Sequence, residues 1–296
     1  MLESVRIQNF RCLRDVTLEL GPFTVFVGPN ASGKSAIADA LTLAQVSATD
    51  RWRGTPNNPP TWAVNGKGSF QDPKQAFAIS ADRRKYTFIL SNLRQSQQAN
   101  EVWTLDSIGS HLPNLFDTLS RADQESFVSD FIRLVPMYSD IKARASGGAK
   151  RLQFEDRWQS NLWYNPEQVS DGTMLIAAFV ALGFQRNVPT LAVIEDPDHG
   201  LHPYLQRHIA EMLRKLSKGE LGSKPIQIVC TTHSQSFLNC LEPEEVRFIR
   251  RSRETGETEV QKAPTDNPNW QKVYDQFQTS LGSMWLTGSL GGVPGI

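Results

Sequence analysis

Three carboxylates and two histidines follow four apolar residues in the stretch LAVIEDPDHGLHP, at 191–203. These side chains are Glu195, Asp196, Asp198, His199 and His202. Carboxylates and imidazoles in such a cluster could bind a metal ion, form a nuclease centre, or hold Mg²⁺ and a water molecule beside a nucleotide. The stretch alone does not separate these three chemistries, so the decision depends on the rest of the chain.

A second stretch, GPNASGKS at 28–35, matches the phosphate-binding pattern G-x-x-x-x-G-K-[ST]. It follows the apolar run FTVFV and precedes SAIADALTLAQVSA, whose Ala and Leu residues recur at helical spacing. Glycines let several backbone N–H groups point at one anion, and the N-terminus of the following helix adds a partial positive charge. The residues predicted to contact the nucleotide here are Gly28, Pro29, Asn30, Ala31, Ser32, Gly33, Lys34, Ser35 and Ala36.

The phosphate loop gives the acidic cluster a specific interpretation. Lys34 would bind the β- and γ-phosphates, and the Ser35 hydroxyl would bind Mg²⁺. A P-loop enzyme also needs a carboxylate at the end of a neighbouring strand to hold that ion. Glu195, directly after LAVI, has this position, and Asp196 follows where an attacking water could be polarised. The sequence therefore predicts ATP and Mg²⁺ as cofactors.

Two other interpretations stay open. His199, His202 and His208 could ligate zinc, although no cysteine or further histidine is placed to complete the set. A nuclease centre would also use acids, but usually several acids from distant segments. We expect the three histidines to be structural or loop residues.

Composition sets broader limits on the class of protein. The 296 residues carry 31 basic and 31 acidic side chains, so a neutral balance argues against an overall basic coat for nucleic acid. No run approaches 18 apolar residues, and the N-terminus lacks the apolar core of a signal peptide. Three widely spaced cysteines indicate free thiols in a reducing cytosol. We therefore expect a cytoplasmic protein without a membrane-spanning helix.

Hydrophobic periodicity predicts alternating strands and helices. Strands are expected at 4–10, 16–20, 23–27, 76–80, 86–90, 190–194 and 226–230. Helices are expected at 35–48, from about 122 with a cap near Ser120, at 173–184 and at 205–217. Residues 51–75 read as an irregular insertion, and the chain after 250 reads as polar, with a glycine-rich end.

The order of the motifs resembles that of RecF-, SMC- and OLD-type ATPases of the ABC superfamily. Four segments carry the resemblance: IQNFRCLRDVTLEL followed by FTVFVGPNASGKS, then QVSDGTMLIAAF, VIEDPDHGLHP and VCTTHS. The resemblance implies an α/β fold, namely an ABC-type ATPase head with a mixed P-loop core sheet, an N-terminal antiparallel β subdomain and a helical lobe. It implies a single domain over 1–296, with a core at 1–50 and 165–250, an inserted lobe at 51–164 and an extension at 251–296.

The resemblance also implies a role for each matching residue. Lys34, Asp196 and His233 would be catalytic, with Asp196 as the base and His233 at the γ-phosphate, while Ser35 and Glu195 would bind Mg²⁺. Ser170 and Gly172 would contact ATP held by a second copy, because the N-terminus of the helix near Thr173 has no anion in its own subunit. Arg11 would lie near the nucleotide, unless it is an ordinary arginine of a solvated turn.

The sequence departs from the family pattern in three respects. The usual base is Glu, and Asp196 is one methylene shorter, which predicts slow hydrolysis and a long-lived ATP dimer. The glutamine that usually links the metal to the other lobe cannot be placed. The segment between the phosphate loop and SDGT lacks heptads, which disfavours SMC-type tethering through a coiled coil.

The residues after His233 indicate which partner proteins the chain would need. Residues 234–296 contain no Asp-x-Asp pair, so we do not expect a Toprim nuclease domain of the OLD type there. If nucleic acid is cut, a separate Toprim-like or other effector protein would cut it. Direct DNA contact would use four basic clusters and nearby tryptophans. These are RWR at 51–53, DRRK at 82–85, KARASGGAKR at 142–151 and RFIRRSR at 247–253, with Trp52, Trp62 and Trp158.

The expected function is an ATP-binding and ATP-hydrolysing switch. Such a switch would dimerise around ATP and control DNA or an effector in phage defence or DNA repair. The alternatives are an ATP-dependent scaffold with negligible hydrolysis and a RecF-like DNA-binding repair ATPase. A transporter motor fits less well because the signature is SDGT rather than SGGQ, and a P-loop kinase would not explain Ser170 or His233.

Overall fold

The computed structural model of the chain describes residues 1–42, 61–66 and 83–290. Several predicted features lie outside these ranges: the strand at 76–80, the cluster RWR with Trp52, the first residue of DRRK, the end of the helix at 35–48 and the end of the glycine-rich tail. Most of the predicted irregular insertion at 51–75 also lies outside them, and its described part, 61–66, is a strand rather than a loop.

Strands and helices follow one another in short runs along the described part of the chain. The strands are β1 (Leu2–Phe10), β2 (Leu13–Glu19), β3 (Phe23–Val27), β4 (Thr61–Gly66), β5 (Arg83–Tyr86), β6 (Gln97–Gln98), β7 (Tyr138–Ser146), β8 (Ala149–Asp156), β9 (Trp163–Tyr164), β10 (Leu191–Glu195), β11 (Gln227–Thr232), β12 (Val246–Arg251) and β13 (Thr258–Lys262). The helices are α1 (Lys34–Thr42), α2 (Leu90–Arg94), α3 (Leu112–Thr118), α4 (Arg121–Leu134), α5 (Asp171–Leu182), α6 (Pro203–Lys218), α7 (Gln235–Leu238), α8 (Trp270–Gln276) and α9 (Leu281–Leu286).

The central sheet is mixed and has six strands in the order β13-β12-β3-β11-β10-β5. Strands β12, β3, β11 and β10 run parallel, and β13 pairs antiparallel with β12. Every residue of β3 and β11 is buried, which explains why these strands read as continuous apolar runs rather than as alternating ones. The predicted α/β class with a mixed P-loop core sheet is confirmed.

A second sheet, with the order β2-β1-β4, is antiparallel. Its register places Val5 opposite Leu18 and Ile7 opposite Val16. These side chains are buried in one hydrophobic core that also contains Ile37 of α1. Alternation of apolar and polar residues in the first 20 positions therefore marks a sheet with one buried face.

The chain divides into two compact units. The first comprises Met1–Lys85, Leu191–His199 and Gln227–Ile296, and the second comprises Tyr86–Thr190 and Gly200–Ile226. This division differs from the predicted boundaries at three places. Strands β4 and β5, which fall in the predicted lobe at 51–164, belong with the first unit because β4 pairs with β1 and β5 lies beside β10. Residues 165–190 and 200–226 belong with the predicted lobe because α5 packs on α2, α4 and α6. The predicted extension at 251–296 belongs with the first unit because β13 completes the central sheet.

Helices and a hairpin build the second unit. The Ser120 side chain accepts a hydrogen bond from the Asp123 N–H at 3.2 Å, so α4 begins where the sequence predicted. All residues of α5 from Gly172 to Leu182 are buried, which agrees with its almost wholly apolar sequence. Strands β7 and β8 form a hairpin whose turn is Gly147-Gly148, with φ of +61° and +79°. Positive φ at both turn residues is what a two-residue hairpin of this twist requires.

The predicted strand at 86–90 is wrong. The strand ends at Tyr86, and α2 begins at Leu90. Between them the chain turns toward another loop, since the Thr87 N–H donates to the Ser107 carbonyl at 2.7 Å. Phe88 packs against Phe179 with ring centroids 5.3 Å apart, so its apolar character serves a helix contact rather than a sheet. Within the ranges that the structure describes, no helix is long and apolar enough to cross a bilayer.

Candidate functional site

Three neighbouring parallel strands end at the same edge of the central sheet. Val27 of β3 lies opposite Thr232 of β11, and Thr231 of β11 lies opposite Glu195 of β10. The chain leaves this edge as the phosphate loop after β3, as His233 after β11 and as Asp196 after β10. Segments far apart in sequence are thereby brought to one side of the first unit, at the carboxyl ends of the strands, where ligands bind in α/β sheets.

The phosphate loop is held in a conformation that requires its glycines. Gly33 has φ +113°, and a Cβ there would lie 2.4 Å from Thr258 Oγ1. A Cβ on Gly28 would lie 2.3 Å from the Ile249 carbonyl oxygen. Thr258 Oγ1 also donates a hydrogen bond to the Ser32 carbonyl at 3.0 Å. Strands β12 and β13 therefore support the loop from outside, a contact that the motif alone does not reveal.

The interior of the loop has the chemistry of an anion site. The Lys34 ammonium donates to the Gly28 and Pro29 carbonyls at 2.8 and 2.9 Å. Burial lowers the pKa of Lys34, and the carboxylates of Asp196 and Glu195 oppose this shift. Ser32 Oγ is buried and finds no hydrogen-bond partner among the described residues. A phosphate would supply acceptors for the ammonium and for this hydroxyl, so the residues fit the predicted nucleotide.

Glu195 belongs to a chain of alternating charges. Its Oε2 lies 2.9 Å from Lys85 Nζ, and the same ammonium lies 2.7 Å from Asp39 Oδ1. Asp39 is also paired with Arg11. Burial would lower the pKa of Lys85, but hydrogen bonds to Asp39 and Glu195 outweigh it and raise that pKa. The structure therefore places the predicted nucleotide residue Arg11 beside α1, with its guanidinium on a carboxylate.

Asp196 and His233, the predicted base and γ-phosphate residue, touch each other. Asp196 has φ +43°, and its N–H donates to the Thr231 carbonyl at 3.0 Å. Its Oδ1 lies 3.3 Å from His233 Nδ1, and both side chains are partly exposed. Because positive φ is unusual for Asp, the turn after β10 holds this carboxylate in a conformation that the adjacent strand supports.

Asp198 has a different environment from the other two acids. It is buried and accepts a hydrogen bond from Thr232 Oγ1 at 2.8 Å. Burial raises the pKa of Asp198, against the effect of that hydrogen bond. This residue therefore fastens the end of β10 to the end of β11, a structural role within the acidic cluster.

The oxygen ligands available suit a magnesium ion. Ser35 is exposed at the start of α1, and Glu195 brings a carboxylate to the same unit. Hydroxyl and carboxylate oxygens are the donors that Mg²⁺ takes in P-loop sites. The zinc interpretation has less support, because no group of three or more His, Cys, Asp or Glu in the described part of the chain is arranged around a metal position. Instead His202 caps α6, accepting from the Tyr204 N–H at 3.3 Å.

The signature residues lie in the second unit. Ser170 is exposed, and its Oγ accepts a hydrogen bond from the Thr173 N–H at 3.2 Å, so it caps α5. Gly172 is buried, and a Cβ there would lie 2.6 Å from Leu205 Cδ1. Ser170 is thus open to a ligand, whereas Gly172 is required for the packing of α5.

Sequence reasoning missed Lys85, Asp39 and Arg94. Lys85 sits in a run of basic residues, and only the place of β5 beside β10 reveals its contact with Glu195. Arg94 donates to Asp171 Oδ1 at 2.5 Å and to the Val169 carbonyl at 3.2 Å, which braces the segment around Ser170. These residues could not be identified from the sequence, because a contact between two single charged side chains far apart in the chain produces no periodic pattern.

Comparison with known proteins agrees with this geometry. The family described as "AAA domain, putative AbiEii toxin, Type IV TA system" matches residues 23–239. An OLD nuclease of Thermus scotoductus is 51% identical over 43 residues, which cover 14% of this chain and only 8% of that protein.

Solved structures with this fold include heads of SMC proteins. The SMC head domain of Thermotoga maritima superposes with a TM-score of 0.56 at 15% identity, covering 88% of this chain and 98% of that one. The Smc head domain of Pyrococcus furiosus, bound to the C-terminal domain of ScpA, gives 0.59 at 11% identity, covering 94% and 99%. An ATP-binding cassette of an ABC transporter in its ADP conformation gives 0.50 at 15% identity, covering 93% and 99%.

At these identities the structural likeness shows the fold alone, whereas the family match spans most of the chain and includes the phosphate loop, the signature segment and the acids at 195–198. The chain therefore belongs to this AAA-domain family, and it has the fold of the SMC heads and of the ABC-transporter cassette.

Proposed function

We propose that the protein is an ATP-driven switch, which closes as a dimer around ATP and reopens on hydrolysis. The state of the dimer would control DNA or a separate effector, such as a Toprim-like nuclease, in phage defence or DNA repair. One observation carries the proposal: the phosphate loop, the acids at 195–196 and His233 leave the same edge of the central sheet.

Each residue of this edge has a definite task in ATP hydrolysis. Lys34 and the loop N–H groups bind the β- and γ-phosphates, for which Lys34 exchanges its present carbonyl partners. Bound through Ser35 and Glu195, Mg²⁺ would neutralise charge on the phosphate oxygens. Asp196 accepts a proton as water forms a bond to the γ-phosphorus and the bond to the ADP oxygen breaks. His233, whose Nδ1 contacts Asp196 Oδ1, would orient that carboxylate and reach the γ-phosphate with its other ring nitrogen.

The exposed Ser170 at the N-terminus of α5 supports the dimer. Ser170 and the first N–H groups of this twelve-residue helix lie at an end with partial positive charge. The γ-phosphate of a facing copy would complete this site, so that ATP binds between two chains. Loss of the γ-phosphate removes the shared ligand and separates them.

Turnover and mass of the purified chain test the proposal together. With ATP and Mg²⁺ we expect slow phosphate release and a shift from monomer to dimer in light scattering. Lys34→Met should lose both, and Asp196→Asn should keep the dimer while losing turnover. The matched control is Lys262→Gln, which removes an ion pair with Glu19 away from the loop and should behave as the wild type. A wild-type chain that neither binds nor cleaves ATP would contradict the proposal.

The alternative of an ATP-dependent scaffold rests on Asp196. Its short carboxylate is already in contact with His233, which leaves less reach toward a water at the γ-phosphate. In that case ATP would still dimerise the wild-type chain, but turnover would equal that of Asp196→Asn.

The RecF-like alternative rests on the hairpin of β7 and β8. Arg144 lies directly opposite Arg151, and Lys142 lies 4.3 Å from the ring centre of Trp163. Like charges across a strand pair repel each other, and a phosphate backbone would relieve that repulsion. Binding of duplex DNA at rising salt, with ATP, tests this. Affinity independent of salt would remove direct DNA contact from the account.

A further inference from the structure

Lys85 forms an ion pair with one of the carboxylates of the candidate site. Its ammonium is 2.9 Å from Glu195 Oε2, and Glu195 is the carboxylate to which we assign Mg²⁺. The Lys85 side chain is 29% exposed and that of Glu195 is 16% exposed, so solvent screens this pair only in part. The contact is therefore stronger than an ion pair on the open surface.

An ammonium and a divalent cation cannot both hold this carboxylate without repelling each other. Mg²⁺ must therefore displace Lys85 from Glu195 or bind against its charge. Asp39 gives the displaced ammonium a second partner, which it already contacts at 2.7 Å. The ammonium can thus release Glu195 and stay paired.

A purely structural role would not require this contact. Asp39 is also paired with Arg11, so that carboxylate keeps a cation without Lys85. Glu195 ends β10, whose backbone is fixed by pairing with β11. What Lys85 adds is a positive charge on the carboxylate that we assign to the metal.

We propose that Lys85 is a positioning residue that occupies Glu195 before the metal arrives and sets the concentration of Mg²⁺ that the site requires. The inference rests on the proposed function, since it takes Glu195 as the metal-binding carboxylate. In this arrangement Lys85 keeps the metal site closed at low Mg²⁺ and opens it when Mg²⁺ enters with the nucleotide.

Two substitutions of Lys85 distinguish the effect of its charge from the effect of its size. Lys85→Met keeps the length of the side chain and removes its charge, and Lys85→Arg keeps the charge. Lys262→Gln again serves as the control, because it removes a lysine ion pair elsewhere in the same unit. For each variant, binding of a fluorescent ATP analogue is measured from EDTA to saturating Mg²⁺, and Mn²⁺ bound with ATP is counted by electron paramagnetic resonance.

The half-saturating metal concentration of Lys85→Met should be about three- to tenfold lower than that of the wild type, because the variant lacks a partly buried positive charge that repels the metal ion. Lys85→Arg and Lys262→Gln should match the wild type. An unchanged or higher metal requirement for Lys85→Met overturns the inference. If thermal unfolding shows that Lys85→Met is misfolded, Lys85→Gln is measured in its place. If the wild type binds no nucleotide at any Mg²⁺ concentration, the proposed function fails. The titration therefore distinguishes failure of the proposed function from failure of the inference about Lys85.

Discussion

His233 Nδ1 lies 3.3 Å from Asp196 Oδ1, although the two residues follow different strands of the central sheet. The parallel pairing of β10 with β11 brings them together. Asp196 is the acid that we expect to accept a proton from water, and His233 the group at the γ-phosphate. Their contact therefore places the proposed base beside the proposed γ-phosphate residue.

Lengthening this carboxylate should speed the reaction. We expect Asp196→Glu to raise steady-state phosphate release, by up to ~10²-fold if reach is the limiting factor. Asp196→Asn should lower release to background while the affinity for ATP stays within a few-fold, because the change does not touch the loop around Lys34. A malachite-green assay measures both. Turnover of the wild type above that of Asp196→Glu would contradict this explanation of slow hydrolysis.

The phosphate loop should not tolerate a methyl group at Gly33. A Cβ there would sit at φ +113° and 2.4 Å from Thr258 Oγ1, so Gly33→Ala should cost about 2–4 kcal/mol in the free energy of unfolding. Gly147→Ala is the matched control: its φ is +61° and nothing lies within 4 Å of its Cβ, so it should cost about 1 kcal/mol. Denaturant titration compares the two, and equal losses would show that the contact with β13 does not constrain the loop.

Neutralising Asp198 should stabilise the fold at neutral pH. Burial raises the pKa of Asp198 above its ordinary value of 3.8, so its protonated form is favoured in the folded state. The stability it contributes is fully present below that ordinary value and is lost as pH rises through the raised pKa. Asp198→Asn keeps an oxygen that accepts from Thr232 Oγ1 and removes the buried charge.

The melting temperature of Asp198→Asn should therefore exceed that of the wild type near neutral pH, and the difference should vanish below about pH 4. Scanning calorimetry across this range is the measurement. A lower melting temperature for the variant at neutral pH would mean instead that the folded state stabilises the charge of Asp198.

Local sequence patterns predicted the elements that carry the site. The apolar runs of β3, β10 and β11 predicted buried strands, and Ser120 predicted the start of α4. These predictions succeeded because burial on both faces and helix capping are set by residues adjacent in sequence. The family motifs then indicated which strand ends meet.

Features that depend on distant contacts were missed. KARASGGAKR was predicted only as a basic cluster, whereas the structure shows that it contains the Gly147-Gly148 turn of the β7–β8 hairpin. The chain after 250 reads as polar, yet Trp270 and Trp285 are buried and β13 pairs with β12 at the edge of the central sheet. Lys85 reaches Glu195 only because β5 lies beside β10. None of these contacts follows from composition or periodicity.

Mixing two inactive variants tests most directly whether ATP binds between two chains. Lys34→Met removes the phosphate-binding ammonium, and Ser170→Arg blocks the exposed N-terminus of α5, where Ser170 faces solvent. Each variant alone should show no turnover, but a heterodimer of the two contains one intact site, formed by Lys34 of one chain and Ser170 of the other. We predict that mixing restores phosphate release to a substantial fraction of the wild-type rate. A mixture as inactive as its components, or full activity of Ser170→Arg alone, would contradict the account.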